Sequence, residues 1–321
     1  MEIIISAYGD WMKPQVAEMF SHQYGVSKRE FSSLIENFYE HPFQKDKCIR
    51  IAAVEDKKVV GFQSFFYWPY EMNGRKFRSF QSGNSLVHPH YRNRGIFRKL
   101  LEYVDVHREE MGIDFLIGFP IDVSKNSLLG NGWKNILDLD WYVCPSSIFS
   151  FVSRHENEKL KTVFKRESGY AIGPVNDGRI HISNENGFVE WRENYSPKGN
   201  YFYHTYSEGD KSVRFSLKTS RRKKIIRELT IGNILTGNND PAFIQKGLKD
   251  LIRKVRSSRC ISMVSFAQNS ASGFLTDELL RNAGLKKINK RIYFCVKSFA
   301  GSDAIEDASK WLLFRSDIDT W

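Results

Sequence analysis

Cysteine is scarce, four in 321 residues, and no two are spaced as C-x-x-C. That excludes a disulfide framework and a zinc knuckle. No run of about 18 apolar residues occurs, so no membrane-spanning helix is expected. The opening stretch MEIIISAYGDW lacks a basic segment ahead of its apolar residues and a small-residue cleavage site, so it does not read as a secretory leader. With 41% hydrophobic and 26% charged residues, disordered and fibrous classes are excluded as well. The expectation is a soluble, cytoplasmic protein of two domains or one large one.

Net charge is missing from the first part of the chain. Residues 1–144 hold 18 basic and 18 acidic side chains, so the formal charge of +11 belongs to residues 145–321. Arg214 to Arg227 contains seven basic residues and no acid, whereas Ser298 to Trp321 contains five acids and two bases. A basic half suits an anionic ligand or nucleic acid. It suits equally a solvated face that serves solubility.

The hydrophobic pattern alternates helices and strands. Helical spacing predicts helices over Pro14–Tyr24, Lys28–Tyr39 (with Ser27 as N-cap), Ile96–Met111 and Pro145–Phe164. Strands are predicted over Cys48–Val54, Val59–Tyr67, Phe77–Val87, Phe115–Phe119 and Ile136–Cys144. Three patches recur later in the chain. The stretch around Gly83 matches that around Gly232, an offset of 149; Phe115–Phe119 matches Ser262–Phe266, an offset of 147; Gly132 matches Gly284, an offset of 152. Near-constant offsets point to a tandem duplication. Cys144 and Cys295, at matching strand positions, read as buried apolar thiols.

The most informative stretch runs from Asn84 to Leu101: a strand ending at Val87, a basic loop with one glycine, then an amphipathic helix. A helix N-terminus offers unpaired N–H groups and a positive dipole end, which suit a pyrophosphate. Gly95 lets backbone approach an anion, and Arg92 and Arg94 add charge. The segment resembles the GNAT superfamily of acyl-CoA N-acyltransferases, whose signature is Arg/Gln-x-x-Gly-x-Gly/Ala. Arg92, Gly95 and Phe97 fall on the signature positions, Phe97 replacing the small residue, and Val87-His88-Pro89-His90-Tyr91 matches the approach to it. The likeness continues through Gly118-Phe119-Pro120, Asn126-Ser127 and Gly132-Trp133, over about residues 45–144.

The resemblance implies an α/β fold with a mixed (α+β) sheet, built as two tandem GNAT-like domains: residues 1–144 catalytic, 145–298 a degenerate second copy, 299–321 a tail folding back toward the active site. It implies acetyl-CoA as acyl donor and no metal. Leu86 and Val87 would pair with the pantetheine arm, the amides of Asn93, Arg94, Gly95, Ile96 and Phe97 would cradle the pyrophosphate beside Arg92, and Asn126 would face the thiol end. In the second copy the matching position falls near Asp240-Pro241, an acid and a proline where amide donors are needed, so that copy should not bind coenzyme A.

The chemistry needs a proton donor for the leaving thiolate and a base for the amine. The family's usual tyrosine is absent from Asn126–Asn131, which leaves Ser127, water or another segment as the acid. Strand residues 79–87 carry no carboxylate. The tail supplies candidates in Asp317, Asp319 and the α-carboxylate of Trp321, as in similar multidomain aminoglycoside acetyltransferases that use their C-terminal carboxylate. His88 and His90, without a third ligand, do not make a metal site. The acceptor expected is a primary amine on a small polar molecule, an amino sugar or sugar nucleotide of surface polysaccharide synthesis. The alternatives are an aminoacyl-tRNA-dependent transferase of the peptidoglycan-bridge type and a non-catalytic acyl-CoA-binding protein. A nucleic-acid partner is expected only under the first of these.

Overall fold

The computed structural model describes residues 2–25, 27–147, 150, 156–165, 177–183, 185–194, 200–222, 225–237 and 239–319. In chain order the first half contains β1 (Ile4–Ala7), α1 (Lys13–Tyr24), α2 (Lys28–Tyr39), β2 (Ile49–Glu55), β3 (Lys58–Tyr67), β4 (Tyr70–Met72), β5 (Arg75–Phe77), β6 (Ser79–Val87), α3 (Ile96–His107), β7 (Phe115–Gly118), α4 (Asp122–Leu129) and β8 (Lys134–Pro145). The second contains α5 (Glu156–Val163), β9 (His181–Ile182), α6 (Phe188–Asn194), β10 (Asn200–Glu208), β11 (Lys211–Arg222), β12 (Ile226–Thr236), α7 (Pro241–Ser258), β13 (Met263–Gln268), α8 (Asp277–Asn282), β14 (Lys286–Ser298) and α9 (Asp303–Glu306).

Local chemistry explains the elements that frame the site. Ser27 starts α2 with a reciprocal cap: its Oγ accepts from the Glu30 amide, and its own amide donates to the Glu30 carboxylate. The β2–β3 hairpin turns on Asp56 and Lys57, both at positive φ, the twist that a two-residue connection requires. Apolar residues of α1 and α2 (Val16, Phe20, Phe31, Ile35) pack on one face of the sheet against Phe62 and Phe66. On the opposite face Ile96, Leu100 and Val104 of α3 pack on Ile51, Val60 and Phe80.

Eleven strands form one sheet in the order β1-β2-β3-β6-β7-β14-β8-β13-β12-β11-β10. The two halves exchange their last strands. β14 lies between β7 and β8, antiparallel to both, and β8 lies between β14 and β13. Each half also contains one parallel pair that separates early: β6 with β7 ends at Gln81↔Ile117, and β12 with β13 ends at Ile231↔Phe266.

Three predicted elements differ. The helix expected over Pro145–Phe164 is α-helical among the described residues only from Glu156, because Ser146 and Ser147 continue strand-like pairing with Ser262 and Ile261. The strand expected over Phe77–Val87 is interrupted at Arg78, whose amide donates to the Asp114 carboxylate at 2.7 Å instead of to a ladder. α3 ends at His107, four residues before Met111. Cys144 and Cys295 are both fully buried and free.

Candidate active site

The site begins with a defect in β6. Opposite β3, Phe62 pairs with Leu86 and Ser64 with Gly83, so Asn84 and Ser85 stand against Gln63 alone. Such a bulge bends the strand. Asn84 absorbs it at φ +50°, a conformation that asparagine tolerates better than most residues. Its amide donates to the Tyr39 hydroxyl (2.9 Å), which donates to Ser64 Oγ (2.8 Å), which in turn donates to the Gly83 carbonyl (2.8 Å). Tyr39 is fully buried, and burial raises its phenol above the ordinary value. On its other edge β6 leaves β7 after Gln81. Residues 82–87 therefore present backbone groups toward a gap rather than to a neighbouring strand.

At the mouth of the gap the loop turns into α3. Asn93 (φ +61°) and Gly95 (φ +71°) are left-handed, and Gly95 occupies the N-cap with no side-chain cap on the helix amides. A cavity of about 530 Å³ opens here. Val87, Arg92, Asn93, Gly95, Ile96 and Phe97 line it, with Ser127 of α4 across from them. Seven residues expected from the sequence thus meet in one place. Three of the residues expected to hold the cofactor, Leu86, Arg94 and Asn126, do not line it. Leu86, on the opposite strand face, lines a second cavity of about 560 Å³ under α1 with Met19, His22, His88 and His90. Arg94 stacks its guanidinium 4.8 Å from the Tyr91 ring centroid. Asn126, exposed on α4, accepts the Gly130 amide with its backbone carbonyl. Arg92 lines the first cavity, but its guanidinium donates to the Val87 carbonyl and to Gln23 Oε1 (2.9 Å). Burial, aided by nearby Lys58 and His90, lowers the pKa of His88. No cluster of metal-ligating side chains occurs among the described residues.

The tail reaches the same strand. Trp311 and Leu313 are wholly buried and Phe314 nearly so, and Phe314 bridges Gln268 at the end of β13. Farther on, the Gln81 side chain donates to the Asp317 carbonyl (2.8 Å) and accepts from the Asp319 amide (2.7 Å). Arg192 of α6 donates to the carbonyls of Ser316 (2.8 Å), Ile318 (2.9 Å) and Asp319 (3.2 Å). Asp317 is 1% exposed; it accepts from the Tyr70 hydroxyl and the Phe314 amide, both at 2.8 Å. Asp319 places a carboxylate oxygen 3.2 Å from where a Cβ at Gly83 would stand. Its charge also helps burial to raise the phenol of Tyr24 at the end of α1. The tail thus brings a carboxylate beside β6, which has none of its own. Trp321 lies outside the described residues. Gln81 and Arg192 seat the tail from more than a hundred residues away in sequence, a pairing that no local spacing marks.

The matching helix of the second half is closed. Asp240 caps α7 with its own carboxylate, accepting from the Phe243 amide at 3.0 Å and pairing with Lys211 at 2.7 Å. An anion at that N-terminus would meet a negative charge already in place.

Fold and site define an α/β protein whose sheet splays beside an uncapped helix N-terminus. Residues 10–132 match the family model described as acetyltransferase (GNAT) domain. Solved structures share the fold. A GCN5-related N-acetyltransferase from Anabaena variabilis ATCC 29413 superposes with a TM-score of 0.62 at 11% identity, over 92% of this chain and 73% of that one. A conserved protein of unknown function from Enterococcus faecalis V583 gives 0.62 at 11% identity, over 94% and 73%. A GCN5-related N-acetyltransferase from Kribbella flavida gives 0.56 at 12% identity, over 93% and 72%. No curated protein matches the chain. No described helix is long and apolar enough to cross a membrane.

Proposed function

We infer that the chain is an acyl-CoA-dependent N-acyltransferase acting on a primary amine of a small polar acceptor, with acetyl-CoA as donor. The observation that carries this reading is the contrast between the two helix N-termini. α3 opens on a left-handed glycine with its amides uncapped beside a cavity of about 530 Å³, whereas α7 is stoppered by Asp240. Free amides, the dipole and an adjoining void fit a pyrophosphate. On this reading residues 1–144 form the acyl-CoA-binding unit and 145–298 a duplicated unit that no longer binds it. The matching early separation of the two parallel pairs supports the duplication.

Each group of the chain then has a separate task. The amides of Asn93 to Phe97 hold the donor's phosphates, and exposed backbone N–H groups of β6 stabilise the oxyanion. A tail carboxylate, that of Asp319 or of Trp321, accepts the amine proton. Ser127, in the same cavity, or water returns a proton to the thiolate. An amino sugar or sugar nucleotide suits the acceptor, and a cytoplasmic setting suits the donor.

A thermal-shift titration tests the donor. Acetyl-CoA should raise Tm in the wild type. Gly95→Val, which forces a β-branched side chain into a left-handed backbone at a cost of about 1–3 kcal/mol, should abolish the response while the protein still melts cooperatively. Stabilisation by tRNA but not by acetyl-CoA would reject the reading in favour of the aminoacyl-tRNA alternative. Acetyl-CoA binding with no transfer to any of a panel of amines would leave a binding protein.

A further inference from the structure

The basic half holds a second cavity that the acyl-transfer reading does not use. Leu217 of β11 and Leu229 of β12 belong to the core that α7 covers, so their neighbours Lys218 and Glu228 project from the opposite face of the sheet. On that face a cavity of about 280 Å³ lies where β8, β11, β12 and β14 meet the tail. Four of its walls are cationic, Lys218, Arg222, Lys290 and Arg315, and one is acidic, Glu228.

That acid is already engaged. Glu228 is buried, and both its oxygens accept from the Arg222 guanidinium, one at 2.6 Å. Lys290 has no carboxylate partner among the described residues; its ammonium stands 3.5 Å from the ring centroid of Trp141, which also lines the cavity. Trp141 is 3% exposed, and its indole N–H has no acceptor among the described residues. A buried donor left so is costly unless a ligand or water completes it. The cations also crowd one another. Burial, with Arg192 and Arg315, pushes the Lys218 amine down to about 8. Burial, Arg222 and Arg315 likewise lower that of Lys290.

We propose that this cavity binds a small phosphate-bearing ligand through Lys218, Lys290 and Arg315, with Trp141 as its aromatic wall. At about 280 Å³, just below the range for small-molecule sites, roughly 300–1,000 Å³, the cavity suits a phosphate and its immediate carrier. Several cations converging on one space favour a multiply charged oxyanion over a single carboxylate. The site stands independently of acyl transfer. It also explains why the positive excess collects in the half whose helix N-terminus is closed. Arg315 lies two residues before Asp317, so the ligand would rest against the turn that carries the tail toward β6.

Inorganic pyrophosphate is the probe, titrated into the full chain by calorimetry and thermal shift with saturating coenzyme A present to occupy the α3 loop. Wild type should bind and gain in Tm. Lys218→Gln/Lys290→Gln should weaken pyrophosphate at least tenfold while its ligand-free Tm stays equal or rises, since like charges have been removed. Lys290→Gln alone should weaken it several-fold, and Arg92→Gln in the α3 loop should leave it unchanged. No response in wild type, or equal responses in wild type and the double variant, overturns the proposal. So does a response lost in Arg92→Gln and kept in the double variant, which would place the anion at α3.

Discussion

Asp317 is the residue where burial and hydrogen bonding oppose each other most openly. Burial pushes its carboxyl up to about 7, against the Phe314 amide, the Tyr70 hydroxyl and the Arg192 charge, which pull the other way. The native state therefore keeps this proton to near neutrality, whereas the unfolded chain releases it near pH 4. Between those values the native state binds more protons, so Asp317 makes stability fall as pH rises through the window and level off above it. Asparagine can accept from Phe314 and donate to the Tyr70 oxygen without a charge. Asp317→Asn should flatten the Tm–pH curve between about pH 5 and 7.5, and near pH 8 it should exceed wild type by on the order of 2–4 kcal/mol. Parallel curves for the two proteins would show that Asp317 stays ionised in the native state.

Among the elements, the tail joins the two separated strand pairs. Phe314 bridges Gln268 at the end of β13, and Gln81 of β6 holds the next turn. Its anchors, Trp311, Phe314 and Ile318, are all buried, and residues 319–321 come after the last of them. Deleting residues 319–321 also removes the Asp319 amide and carbonyl that the buried Gln81 and Arg192 hold, so Tm should fall by several degrees; acetyl-CoA affinity should stay unchanged while kcat falls by about 10²–10⁴-fold, the usual worth of a positioned base. Unchanged turnover would remove the tail from the chemistry. This is also the scale at which the sequence was most and least legible. Ser27 as an N-cap predicts the start of α2, and the α3 loop is legible from one glycine between basic residues and a periodic helix. Strand exchange leaves no such trace. β8 and β14 share an aromatic, cysteine-bearing pattern, and a pattern specifies which face is buried but not which neighbour lies alongside. The bulge at Asn84 and the approach of Asp319 to Gly83 depend on contacts between segments far apart in sequence, which local periodicity does not encode.

For the whole molecule, that exchange makes the halves interdependent. Cutting after residue 147 would leave β7 and β8 without β14 between them. It would also strip the first core of Phe188, Trp191, Phe294, Trp311 and Ile318, which enter it from the second half. Losing one large buried aromatic side chain costs about 3–5 kcal/mol, and a domain's whole margin is about 5–15 kcal/mol. The deficit exceeds the margin. The intact chain should then unfold in a single transition, with far-ultraviolet circular dichroism and tryptophan fluorescence coincident in urea. Fragment 1–147 should show no cooperative melt of its own. β8 could in principle slide into the place of β14 beside β7, and a soluble fragment with its own transition, or two resolved transitions in the intact chain, would show that it does. Mixing the two fragments offers the positive control. If the interlock is what holds each half, fragments 1–147 and 148–321 refolded together should recover one melt, and acetyl-CoA should stabilise only the mixture.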